Sequence, residues 1–105
     1  MSQLPEIDDD QVIQLTEMFR LMGDPTRLRI ILACLHGPTS VGTIATALNL
    51  SASLVSHHLR LLRATRVMRG QRHGKQIHYT VADEHISCVI ADMLEHVAEP
   101  VTQEE

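Results

Sequence analysis

The segment SVGTIATALNLSASLVSHHLRLLRA, Ser40 to Ala64, holds two helical apolar patterns separated by a break. Val41, Ile44, Ala45 and Leu48 recur at helical spacing, and Ser40 stands where a cap is needed. Asn49-Leu50-Ser51 interrupts the pattern as a tight turn. A further helix is expected from about Ala52 to Ala64, with Leu54, Val55, Leu59 and Leu62 pointing inward. Two short helices joined by such a turn make a helix-turn-helix. On the other side of the second helix, Ser53, Ser56, His57, Arg60 and Arg63 share one face. Small hydroxyls near a helix start suit base edges, and basic residues farther along suit phosphates. His58 lies one step off that face and reads as a half-buried packing residue.

Upstream, Val12, Leu15, Met18, Phe19 and Met22 predict an amphipathic helix from about Asp10 to Leu21. Asp24-Pro25 starts another, with Asp as cap and Pro at the first helical position. Leu28, Ile31, Leu32 and Leu35 form its apolar face, and Gly37-Pro38 is expected to end it. Downstream, Val67-Met68-Arg69 and Gln76–Val81 read as two strands, with Gly70 and Gly74 bracketing a loop. Arg69, Arg72, His73 and Lys75 charge this hairpin. A last helix runs from about Glu84 to Ala98 and stops at Pro100. The order is ααααββα: mainly α with a β-hairpin, a winged helix-turn-helix. The expected divisions are an acidic arm (1–9), the winged domain (10–99) and a tail (100–105).

The 105 residues carry a formal net charge of −4, which taken whole argues against a polyanionic partner. Placing the charges reverses that inference. Residues 1–24 sum to −5 and residues 83–105 to −7, whereas residues 25–82 hold eight bases and no acid. The centre therefore reads as a surface for double-stranded DNA, whose binding should be steeply salt-dependent. No apolar run of about 20 residues is present, so no membrane partner is expected. No signal-like stretch opens the chain, and a cytoplasmic location is expected. An enzyme is not expected, because no nucleophile–base set and no phosphate-binding glycine loop occur. No organic substrate follows either.

The last helix carries a second pattern. His85 and His96 are 11 positions apart, or roughly 1100° at about 100° per residue, and so share a face. At about 1.5 Å rise they stand about 16 Å apart, too far for one ion. Each end holds half a ligand set, Asp83 with His85 and His96 with Glu99. An antiparallel symmetry mate would complete two identical sites of two His and two carboxylates. Ile86, Val89, Ile90, Met93 and Val97 lie beside the ligand line and would join the helices. Such a nitrogen and oxygen set suits Zn(II), or Co(II) in the laboratory. Asp83 has a rival role as helix cap.

Three motifs resemble the ArsR/SmtB family of bacterial metal-sensing repressors. They are Gly23–Ile30, Ser51–Leu62 and the D-x-H-(x10)-H-x-x-E pattern of Asp83, His85, His96 and Glu99. The resemblance spans about residues 10 to 99. It implies a homodimer joined through its first and last helices that represses from a palindromic operator and is released by metal. It also implies Asp83, His85, His96 and Glu99 as zinc ligands, and Ser53, Ser56 and His57 as the main groove-facing residues. Thr39-Ser40-Val41-Gly42-Thr43 lacks the thiol that many members carry there, which argues against a soft-metal site. Cys34 and Cys88 leave an alternative, a repressor switched by oxidant or persulfide. A winged-helix module without metal control is the other.

Overall fold

The structure, a computed structural model, describes residues 4–101. Residues 1–3 of the expected arm and 102–105 of the expected tail lie outside them. The elements are α1 (Asp9–Met22), α2 (Pro25–Ala33), β1 (Thr39–Ser40), α3 (Val41–Leu48), α4 (Ala52–Ala64), β2 (Met68–His73), β3 (Gln76–Val81) and α5 (Glu84–Ala98).

Each helix starts where a polar side chain takes up a free backbone N–H. Asp8 accepts from Gln11 N at 2.8 Å, and the Gln11 side chain accepts from Asp8 N at 3.0 Å, a reciprocal box that starts α1. Asp24, Ser40, Ser51 and Asp83 cap the other four, each side chain accepting from the backbone N–H three residues on. Arg27 Nε donates to Leu21 O at 2.8 Å and ties α2 to the end of α1.

Three local expectations are corrected. First, α2 stops at Ala33 rather than at Gly37-Pro38. Thr39 Oγ1 donates to the Ala33 carbonyl, which takes this side-chain donor in place of a further helical partner, and also to the Gly37 carbonyl in the link. Second, Thr39–Ser40 is a third strand, giving the sheet order β1-β3-β2. Third, Gly70 is not in a loop. It pairs with Tyr79 inside β2, and a Cβ there would lie 3.1 Å from Ile77 Cγ2. The glycine admits the side chains of β3 rather than turning the chain. The turn is the pair Gly74-Lys75, with Gly74 at φ +63°.

The core joins Ile30 and Ile31 of α2, Ile44 of α3, Val55, Leu59 and Leu62 of α4, and Val67 and Met68 leading into β2. Leu54 is a further correction, since it is 40% exposed. It sits about 100° around the helix from Val55, on the flank of the buried stripe. Leu59→Ala should lower unfolding free energy by about 2–5 kcal/mol, read by urea titration, because the cavity opens at the centre of this cluster.

Two helices are left half-packed. Only Leu21 of α1 and Ile90 of α5 are buried. Phe19, Met93 and Val97 are 58%, 56% and 78% exposed, and Ile13, Val89 and Leu94 are exposed with them. Apolar faces of this extent on two helices need a partner surface.

Candidate nucleic-acid interface and metal half-sites

Ser51 fixes the start of α4, and the burial of Val55, Leu59 and Leu62 fixes its rotation. Ser53, His57, Arg60 and Arg63 are consequently exposed, with Ser56 half-buried among them. The hairpin places Arg72 and Lys75 at its tip and Arg69 at its base, all exposed. His73 and His78 stack across the strands, with ring centroids 4.5 Å apart. The basic set is divided between one groove and the rest of the surface. Arg63 and Arg69 line a groove shared with α1 and the start of α5, whereas Ser53, His57, Arg60, Arg72 and Lys75 do not. Arg66 lines the same groove and was not singled out from the sequence. It has φ +65° in the link between α4 and β2, and an arginine in so short a link was the available signal.

His58 is half-buried against the start of α2, and its Nδ1 is enclosed without a hydrogen-bond partner. Burial depresses its pKa, Arg27 and His57 depress it further, and Asp24 opposes them. A depressed base is protonated first in the unfolded chain. Its contribution to stability is therefore complete above the ordinary histidine value of about 6.5 and is lost as pH falls from there toward the folded value. His58→Gln should flatten this acid-side loss in urea titrations compared across pH 5 to 8.

On α5 the two candidate half-sites are both formed. Asp83 Oδ1 accepts the cap hydrogen bond from Ile86 N at 3.2 Å, while Oδ2 lies 3.6 Å from His85 Nδ1. The cap and the contact with His85 thus use different oxygens. The backbone hydrogen bond from Ile86 is the main reason the Asp83 carboxyl titrates below its usual range, so it is ionised at neutral pH. At the other end His96 Nδ1 lies 3.2 Å from Glu99 Oε1. All four side chains are largely exposed. No group of three metal donors occurs among the described residues. Histidine nitrogen and carboxylate oxygen are donor types that a divalent ion of zinc type takes, and each end of α5 carries one of each.

The thiols differ. Cys34 is fully buried, and burial pushes its pKa up to about 11. The thiolate that redox chemistry needs is thereby suppressed. Cys88 is exposed on α5.

A sequence model of bacterial regulatory proteins of the arsR family matches residues 24–67, the span from the start of α2 to the end of the α4 link. Over 90 residues, 86% of its length, the chain is 36% identical to a transcriptional repressor SmtB homolog of Synechocystis and covers 68% of that protein. The chain belongs to the arsR family of bacterial regulatory proteins.

It is a regulator rather than an enzyme, as its relatives are. This arsR-family chain spans 62% of another relative, the repressor SmtB of Mycobacterium tuberculosis. Its fold matches a homodimeric winged helix-turn-helix DNA-binding domain of Mycobacterium bovis with a TM-score of 0.80, at 22% identity over 93% of this chain and 90% of that one. A cadmium sensor, CmtR of M. tuberculosis, matches with a TM-score of 0.68 at 32% identity, covering 86% and 99%.

Proposed function

We propose that this arsR-family chain is a homodimeric repressor of a palindromic operator that Zn(II), or Co(II) in the laboratory, releases from DNA. The observation that carries the reading is the pair of histidine–carboxylate half-sites at opposite ends of α5, 3.6 and 3.2 Å wide. They lie beside exposed apolar residues on the same helix. Packing two α5 helices antiparallel covers those residues. It also brings Asp83 and His85 of each protomer to His96 and Glu99 of the other, two four-donor sites in all. Phe19 and Ile13 of α1 would extend the same contact.

DNA would be held by Ser53, Ser56 and His57 toward the bases, and by Arg60, Arg63, Arg69, Arg72 and Lys75 toward the phosphates. Metal fixes the crossing angle of the two α5 helices, and the recognition helices then stand at a spacing that no longer fits successive major grooves. Bulk electrostatics cannot perform this release, because each ion adds positive charge to a protein that binds a polyanion. The switch must be geometric.

Zinc titration should saturate at about one ion per protomer. Binding energies are reciprocal, so operator DNA should weaken zinc binding by the same factor by which zinc weakens operator binding. Chelator competition with and without operator measures this, and equal zinc affinities in the two states would sink the mechanism.

A further inference from the structure

The hairpin has two unlike faces, because successive residues of a strand point to opposite sides. Met68 of β2 lies opposite Val81 and Gly70 opposite Tyr79, and Met68, Tyr79 and Val81 belong to the core. Arg69, Gln71 and His73 alternate with these residues and lie opposite Thr80, His78 and Gln76. This second face is polar throughout. Near its free end His73 and His78 are diagonal neighbours across the strands. Their rings stack with centroids 4.5 Å apart and planes tilted by 20°. Each ring is steadied from its own strand. His73 Nε2 lies 3.3 Å from the side-chain amide of Gln71, and His78 Nε2 lies 3.4 Å from that of Gln76. His73 is exposed and His78 half-buried.

The surroundings of the pair are cationic or neutral. On the hairpin they are Arg69 on the same face, Arg72 on the opposite one and Lys75 in the turn. On the far side of β3, Ser40 of β1 pairs with His78, and α3 beyond it holds no ionisable side chain. Asp83 and His85 of α5 border Arg69 in the groove, which neither His73 nor His78 lines. Among the described residues no carboxylate forms an ion pair with either ring. Two positive rings in contact repel each other, so the stack accepts one proton far more readily than two. A phosphate oxygen would supply the negative charge that the hairpin lacks.

We propose that His73 and His78 form one further contact to the DNA backbone, in which the stack carries a single proton and meets a phosphate oxygen. The proposal rests on the DNA reading of the hairpin. The proton enters from solvent when the duplex binds and returns when it leaves. Binding therefore takes up one proton per hairpin and two per dimer, and affinity rises as pH falls. A phosphate contact carries no sequence information, so a duplex of any sequence should show the effect.

The test is fluorescence anisotropy of the full chain with a labelled mixed-sequence DNA duplex, with a chelator present so that no metal binds α5. Affinities are compared at pH values of about 6 and about 8, on either side of the ordinary histidine value. His73→Gln combined with His78→Gln should bind within about two-fold of wild type at the higher pH and about 10-fold more weakly at the lower. Comparing the two chains at one pH cancels whatever His57 of α4 adds. Because one proton is shared, either glutamine change alone should keep most of the gain. His73→Lys combined with His78→Gln holds a fixed charge and should bind at the higher pH as wild type does at the lower. The log–log salt slope at the lower pH should be steeper in wild type than in the double glutamine variant by about 0.9 per hairpin. Urea midpoints at both pH values check that the variants fold alike. A double variant that follows wild type at both pH values overturns the proposal. One weakened equally at both overturns it too, since the rings would then act by packing and not by charge. Loss of the whole gain in either single variant overturns the shared proton. Wild-type protein that binds the duplex at neither pH would remove the DNA reading itself.

Discussion

Replacing His96 with alanine is expected to abolish release of the operator by zinc while leaving metal-free repression intact. His96 lies in a half-site with Glu99, on the largely exposed end of α5 away from the core. Its loss removes one of the four donors at each of the two proposed sites. Even a residue that only orients a ligand changes metal affinity by about 10–100-fold, so loss of a ligand should cost about 100-fold or more. The operator affinity of the metal-free variant should stay within about two-fold of wild type, because the change is on the exposed surface. Chelator competition reads the first quantity and fluorescence anisotropy with labelled operator reads the second. A variant that still releases DNA at wild-type zinc concentrations would place the ligands elsewhere.

The second large effect is that of salt. Arg60, Arg63, Arg69, Arg72 and Lys75, taken twice in a dimer, could neutralise up to about ten phosphates. Affinity should then fall by about 10³–10⁵ between about 50 and 200 mM salt, with a log–log slope near −9. A flat response to salt would remove the DNA reading altogether.

The sequence alone placed some elements to the residue and missed others, for reasons that are local in origin. The observed bounds of α4 and α5 agree with expectation because Ser51 and Asp83 announce the starts and Pro100 announces a stop. The two-residue strand β1 had no periodicity to show, since it exists only because Thr39 and Ser40 meet Tyr79 and His78. Gly70 imitates a turn signal in the sequence, but its reason is the width of the Ile77 and Tyr79 side chains across the hairpin. Hydrophobicity alone turns Leu54 inward, but the buried stripe on α4 is narrower than its run of apolar residues.

The candidate site divides in the same way. Spacing along α5 was enough to pair Asp83 with His85 and His96 with Glu99, because those contacts lie within a turn of one helix. Charge by segment was enough to separate a basic centre from acidic ends. Neither could say that Asp83 divides its oxygens between a cap and His85, or that burial holds Cys34 as an unreactive thiol. Nor could they bring Arg63, Arg66 and Arg69 together around one groove, since α4, its link and β2 meet α1 and α5 only in the folded chain. Caps, turns and helical periodicity act over a few residues, so a string of residues carries them. Which faces are covered, which arginines converge and which helices stay half-packed depend on contacts between distant segments, and those arise only when the core around Ile30, Leu59 and Met68 closes.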